Sequence, residues 1–292
     1  MFRFLCCLCV LAWLAPLRAE IVVQDDSGRS VRLPAPAQRI VSLAPHVTEL
    51  LYAAGAGDKL VGAVEYSNYP EAARQLPRIG SYERFDAEAV LALKPDLIIG
   101  WQSGNPGAQV EKLRALNLPI YLTQPNTVDH IATQLERIGQ LAGTEKAANA
   151  AASTFRSRLE NLRSTYSRQK TIRVFYQIWK QPLLTAGGPQ IISNAIQLCG
   201  GENVFGQLNQ MAPTVSIEAV IAAAPEAIVA SGMDEARPEW LDDWKRWKQI
   251  PAVQKGNLYF VPPDLIQRHT PRFLEGTELL CKALEKARKN SQ

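Results

Sequence analysis

Two stretches of the chain, 130 residues apart (86 to 216), follow one plan, and this pair constrains the fold more than any other feature. The first runs Asp86-Ala87-Glu88-Ala89-Val90-Leu91-Ala92-Leu93-Lys94-Pro95-Asp96-Leu97-Ile98-Ile99-Gly100. The second runs Ser216-Ile217-Glu218-Ala219-Val220-Ile221-Ala222-Ala223-Ala224-Pro225-Glu226-Ala227-Ile228-Val229-Ala230. In each, a side chain able to accept backbone N–H groups opens a short helix. A proline followed by an acid closes it, because proline brings no N–H and crowds the preceding turn. An apolar run then reads as a buried strand. The cap, the Glu, two Ala, the Val, the Pro, the acid and an Ile fall in register. Such units are common in α/β chains, so the match is compatible with coincidental patterning as well as with two similar lobes.

The remaining pattern favours the two-lobe reading. Ile21–Val23 and Val31–Leu33 read as short strands around a turn at Asp26, Ser27 and Gly28. Strand, loop and helix follow in Arg39–Leu51, with a second strand at Leu60–Val64. Helices at Val110–Leu116 and Val128–Leu141 flank a strand at Ile120–Leu122. Alternating strands and helices imply a mainly parallel sheet. From about Thr144 to Arg168 no Gly or Pro interrupts the chain, and Phe155, Leu159, Leu162 and Tyr166 are spaced four, three and four, one stripe of a helix. Twenty-five residues make a rod of roughly 37 Å, longer than either lobe needs, and it reads as a stiff bridge. Beyond it, strands at Arg173–Gln177 and Leu258–Val261 and helices at Ile191–Leu198 and Gly276–Ala287 make a second α/β lobe. The expected organisation is a leader over 1–19, lobes over 20–142 and 170–292, and a connecting helix over 143–169.

The leader is inferred from Arg3, an apolar run from Phe4 to Pro16, and Ala19 as the last residue removed. The run is too short to span a bilayer, which needs about 20 residues. Cys6, Cys7 and Cys9 fall inside it, leaving Cys199 and Cys281 in the exported chain. Two cysteines in an exported chain suggest one disulfide; free buried thiols are the alternative. Losing Arg3 and Arg18 leaves 30 basic residues against 28 acidic, mixed along the chain, so there is no basic stripe for nucleic acid.

Catalytic signatures are missing. There is no glycine fingerprint after a strand, no phosphate loop, no nucleophile elbow and no paired-histidine metal motif. His130 reads as a surface residue on a helix. His46 and His269 fall in apparent loops at lobe edges, each able to touch a ligand or fill a polar surface. Aromatic residues say more. Tyr66, Tyr69, Tyr82 and Trp101 occupy strand ends or loops, and Trp101 directly follows a strand, where open α/β sheets place ligands. Flat aromatic walls with a few polar groups suit a large, partly apolar ligand. Trp240, Trp244 and Trp247, spaced four and three, read as a helical packing stripe.

Several segments carry a resemblance over nearly all of the exported chain. They are Arg39-Ile40-Val41-Ser42-Leu43-Ala44-Pro45 with Thr48-Glu49, Tyr66-Ser67-Asn68-Tyr69-Pro70, Leu93-Lys94-Pro95-Asp96-Leu97-Ile98, Cys199-Gly200-Gly201-Glu202-Asn203 and Arg268-His269-Thr270-Pro271-Arg272. The chain resembles the periplasmic vitamin B12-binding proteins of ATP-driven importers, within the wider helical-backbone family that also binds haem and ferric siderophores. The resemblance implies two α/β lobes joined by one long helix, with cobalamin as a bound ligand between them and no resident cofactor or metal. It implies ligand contacts at Tyr66, Tyr82 and Trp101, apolar contact at Leu184, and polar contacts to the ligand's edge amides from Asp264 and Arg268. Ala212 stands where the family can carry Trp, which removes a wall; Trp179 is the candidate replacement. Cys199 and Cys281 match the family's disulfide. Glu88 and Glu218, equivalent in the two repeated units, match the glutamates that dock onto a membrane permease dimer. A periplasmic protein, monomeric when free and without enzymatic activity, is therefore expected. Capture of haem or a ferric siderophore by the same fold is the nearest alternative, and an exported metallochaperone or enzyme a more distant one.

Overall fold

The computed structural model describes residues 20–232 and 235–291. The leader over 1–19 lies outside the described residues. Among those that are described, no helix is long and apolar enough to cross a membrane.

The chain enters through an antiparallel hairpin, β1 (Ile21–Gln24) and β2 (Ser30–Leu33). The first sheet is built from β3 (Ile40–Ser42), β4 (Leu60–Ala63), β5 (Leu97–Trp101) and β6 (Ile120–Thr123), in the order β4-β3-β5-β6, all parallel. Its helices are α1 (Pro45–Ala53), α2 (Ala87–Ala92), α3 (Gly107–Arg114) and α4 (His130–Ala142). Parallel strands need helical crossovers, and these cover both faces of the sheet.

The long helix α5 spans Glu145–Tyr166, 22 residues, or about 33 Å. It is three residues shorter than the uninterrupted segment, because the chain leaves the helix through the turn at Ser167–Gln169. Ala148, Ala152, Phe155 and Leu159 bury its inward stripe, and Leu162 and Tyr166 extend it half-buried. The helix lies along α4 and reaches α1 on one side, and packs against helices of the second lobe on the other. One apolar core consequently runs through both lobes, joining Val47 and Leu50 to Phe155, Val174 and Phe273.

The second lobe contains β7 (Ile172–Trp179), β8 (Leu184–Thr185), α6 (Ile191–Leu198), β9 (Gly201–Asn203), α7 (Ile217–Ala223), β10 (Ala227–Ala230), α8 (Pro251–Gln254), β11 (Leu258–Phe260), α9 (Pro263–Ile266) and α10 (Phe273–Lys289). Its sheet runs β11-β10-β7-β8 with β9 also on β7; only β8 is antiparallel. Cys199, at the end of α6, is disulfide-bonded to Cys281 on α10.

The repeated units match in detail. Asp86 accepts from the N–H of Glu88 and Ala89 at the start of α2, and Ser216 accepts from Ala219 N–H at the start of α7. The residue before each proline takes positive φ, 47° at Lys94 and 44° at Ala224. The acid after each proline then reaches back: Asp96 accepts from Arg39 N–H at 2.9 Å and Glu226 from Arg173 N–H at 3.0 Å, each pinning the start of the neighbouring strand. The same local chemistry thus seats one strand against another in both sheets.

The tryptophan segment differs from expectation. Glu239–Arg246 winds as a 3-10 helix, not an α-helix. Its buried side chains, Leu241 and Trp244, are three apart, the spacing that superimposes in a threefold helix, while Trp240 and Trp247 are half-buried.

Candidate functional site

Ligand sites in open α/β sheets lie beyond the C-terminal ends of the strands. The two sheets meet at a seam between the lobes: β5 ends at Trp101, whose ring stands 6.1 Å from that of His269, and β10 leads into Ser231, which accepts from Gln267 two residues before His269. On the first lobe the Trp101 ring lies directly over Gly104; a Cβ there would stand 1.8 Å from the indole, so only glycine admits the ring. Asn105, buried, organises the corner. Its Oδ1 accepts from Trp101 N–H at 2.6 Å, and its Nδ2 donates to the carbonyls of Leu43 at 2.9 Å and Tyr82 at 2.8 Å. One amide thereby ties the end of β3 to both aromatic residues, and the Tyr82 and Trp101 rings stand 5.9 Å apart.

His46 and His269 complete the cluster. His46 lies on α1, not in a loop, and both imidazoles are buried, not at a polar surface. Their ring centroids are 5.3 Å apart across the lobes, and Trp101 meets His46 edge-on at 5.3 Å and His269 at 6.1 Å. Burial holds His269 down to about 4. Burial first, then the charges of His269 and Arg268, holds His46 well below the ordinary imidazole range. Both are therefore neutral near pH 7. His46 Nε2 lies 3.3 Å from Thr123 Oγ1, whereas His269 Nδ1 and Trp101 Nε1 are buried without a partner. No group of three or more His, Cys, Asp or Glu is gathered to hold a metal ion among the described residues.

Polar contacts bridge the lobes beside these rings. Arg268 pairs with Asp264 at 2.7 Å, one turn back in its own lobe. It also donates from Nη1 to Asn68 Oδ1 at 2.7 Å and from Nη2 to the Tyr66 carbonyl at 3.2 Å in the other lobe. Burial lowers the pKa of this guanidinium, while Asp264 and Glu49 support its charge. Glu49, buried on α1, accepts from Thr270 Oγ1 at 2.6 Å and from Arg272 Nε and Nη2 at 2.8 and 2.7 Å. The Arg272 guanidinium lies 3.8 Å over the centre of the Tyr69 ring.

The other expected contact residues are dispersed. Tyr66 has φ of 62° and is 71% exposed, stacks on no ring of the cluster, and lies near enough to Tyr82 for its charge to help raise that phenol's pKa. Trp179, 36% exposed with its Nε1 on the Gln181 carbonyl, sits opposite Leu184 across β7 and β8 as a separate apolar edge. Ala212 is exposed. Glu88 and Glu218 are exposed in the first turns of α2 and α7, and neither is paired with a cation among the described residues. Sequence reasoning missed Glu49, Asn68, Asn105 and Arg272 as site residues. The available signal was a carboxylate within the apolar run of α1, which requires a buried partner.

A profile of the family described as periplasmic binding protein matches residues 40–265. The vitamin B12-binding protein of Vibrio cholerae serotype O1 is 40% identical over 257 residues, spanning 88% of this chain and 92% of that protein. That of Yersinia pestis is 38% identical over 253 residues, 86% and 88% of the two chains. The crystal structure of the periplasmic vitamin B12-binding protein BtuF of Vibrio cholerae superposes with a TM-score of 0.80 at 39% identity, covering 87% of this chain and 99% of that one. A periplasmic heme-binding protein from Pseudomonas aeruginosa follows at 26% identity and a TM-score of 0.71, covering 85% and 92%. The chain belongs to the periplasmic binding protein family.

Proposed function

We propose that this chain captures cobalamin in the interlobe cleft and delivers it to the permease of an ABC importer. The single observation that supports the ligand most directly is the seam where Tyr82 and Trp101 stand beside the Asp264–Arg268 pair, an aromatic wall next to hydrogen-bonding groups. That combination suits a broad, partly apolar ring fringed with amides. Identity near 40% to vitamin B12-binding proteins supports the same ligand. Tyr66, Tyr82 and Trp101 form the first-lobe wall, Trp179 and Leu184 the second-lobe edge, and Asp264 and Arg268 bond the amides. Glu88 and Glu218 meet the permease dimer, one from each lobe. The lobes comprise 20–142 and 170–292, with 143–169 joining them. The protein acts in the periplasm as a monomer after losing residues 1–19, and it binds without catalysing a reaction.

Calorimetric titration of residues 20–292 with cyanocobalamin tests this. Saturable submicromolar binding of about one ligand per chain is expected, as transport requires. No heat at two temperatures, with binding of hemin instead, overturns the corrinoid assignment.

A further inference from the structure

Arg268 is the only described residue of the second lobe that hydrogen-bonds the Tyr66–Pro70 loop through a guanidinium, and what it holds there has the chemistry of a ligand. Asp264 neutralises the charge from within its own lobe, which leaves the remaining N–H groups for neutral acceptors. Those acceptors are a primary carboxamide oxygen, Asn68 Oδ1, and a backbone amide oxygen, Tyr66 O. The loop carrying them is fixed from below. Thr48 Oγ1 donates to Ser67 Oγ at 3.0 Å, and Arg78 Nη2 donates to the carbonyls of Ser67 at 2.9 Å and Ala73 at 3.1 Å. The strained backbone at Tyr66, with its positive φ, turns its carbonyl toward Arg268.

Resting on the proposal that Arg268 bonds the edge of a bound corrinoid, we infer that Asn68 is a positioning residue that stands in for a ligand amide. It holds Arg268 across the cleft mouth until an amide on the ligand's rim takes its place. Exchange of one amide oxygen for another conserves the hydrogen bonds of a buried cation, so Arg268 is never left unpaired at large cost. The exchange also makes the mouth selective. A ligand with no acceptor on its rim must break the Asn68 contact without replacing it, whereas an amide-fringed ligand replaces it in kind. Because the contact competes with the ligand, it retards association and leaves the bound state largely untouched.

Stopped-flow fluorescence with cyanocobalamin, on Asn68→Ala and Asn68→Asp beside the natural protein, tests the inference. Removing the carboxamide should raise the association rate constant about tenfold with the dissociation rate unchanged, the size expected for one lost hydrogen bond to a charged group. The carboxylate strengthens the grip on Arg268 and should slow association instead. A merely structural role for Asn68 would not move the association rates of the two variants in opposite directions. Unchanged or slower association in Asn68→Ala overturns the inference, and so does faster association in Asn68→Asp. Hydrogen exchange of the unliganded proteins supplies a reading that needs no ligand. Amides of the 66–69 segment should exchange faster in Asn68→Ala and more slowly in Asn68→Asp. If none of the three proteins binds cyanocobalamin, the corrinoid assignment fails, and unaltered exchange in both variants separately overturns the latch.

Discussion

Glu49 and Arg272 form a two-point ion pair between the lobes, with Nε on Oε1 at 2.8 Å and Nη2 on Oε2 at 2.7 Å. The Glu49 side chain is 3% exposed and that of Arg272 17%, so solvent screens the pair little. Thr270 adds a third donor to the same carboxylate, and the Tyr69 ring covers one face of the guanidinium. Such a pair adds little over an apolar contact, but removing one partner strands a buried charge. Glu49→Ala should lower the unfolding free energy by roughly 3–5 kcal/mol in denaturant titration. Arg272→Lys keeps the charge but cannot fill both oxygens, so it should cost less than Glu49→Ala while still being destabilising. A neutral outcome for Glu49→Ala would show that the carboxylate is not holding the lobes together.

The buried imidazoles set a pH dependence with a definite sign. His269 titrates at about 4 in the folded protein, and His46 is also lowered, against about 6.5 in an unfolded chain. Between those values the unfolded chain binds more protons than the folded one. Stability from these groups is therefore complete above about pH 6.5 and declines as pH falls toward about 4. His46 faces His269 and Arg268, so charge on one imidazole opposes charge on the other. Urea midpoints at about pH 7.5 and about pH 5 should differ more for the natural protein than for His269→Gln, which has no imidazole to protonate. Equal differences in the two proteins would remove His269 as a source of the acid sensitivity.

The disulfide lies beside Gly201, where β9 pairs with the start of β7, at the opposite end of that strand from Trp179, so its loss should separate stability from binding. Cys199 and Cys281 are 82 residues apart in sequence. Closing a loop of that length restrains the unfolded chain, worth roughly 2–5 kcal/mol. Arg288 reinforces the same corner by donating to the carbonyls of Lys170, Cys199 and Gly200 at 2.6, 2.7 and 2.9 Å. A Cys199→Ala, Cys281→Ala double variant should unfold at lower denaturant while retaining its calorimetric affinity for cyanocobalamin. Parallel loss of both would mean that the bond also shapes the cleft.

These relationships differ in how far the sequence revealed them. Most strands and helices are legible because proline, caps and apolar period act over a few residues, and the two repeated units carry that information twice; β8, β9, α8 and α9, two to four residues each, are too short to show a period. Cap residues Asp86 and Ser216 and the acids Asp96 and Glu226 perform roles that depend on backbone groups near them in the fold. The tryptophan segment departs from the expected helix because spacings of four and three do not separate an α-helix from a tighter 3-10 winding in so short a stretch. The role of Glu49, named in the Thr48-Glu49 motif without a partner, is hidden for another reason. Its partners lie 221 and 223 residues away, and no local rule pairs a helix carboxylate with a distant loop. Asn68 and Asn105 were hidden likewise, since a carboxamide in a loop has no signature until its acceptors and donors are in place. The aromatic wall was partly readable: Trp101 was expected at a strand end, but its dependence on Gly104 and Asn105 is a property of packing.

Glu88 and Glu218 permit a prediction that isolates docking from capture. Each is exposed at the third position of its repeated unit, in the first turn of a helix whose N-terminal dipole favours an acid. As helix-start acids alone, they are worth about 0.3–1 kcal/mol each in stability and nothing in transport. As docking contacts, they supply one negative group per lobe to a partner with matching cations, and such pairs govern association and its salt dependence. Glu88→Ala and Glu218→Ala should therefore leave cyanocobalamin affinity unchanged and unfold only slightly earlier. Each should weaken association with the permease complex, and the double variant should lose more than either single one. Raising salt should weaken the natural protein's association more steeply than that of the double variant. Association measured by surface plasmon resonance against the permease complex in nanodiscs, with binding of cyanocobalamin as the control, separates the two roles. Full association by the double variant would leave both acids as helix-start residues and move the docking surface elsewhere on the lobes.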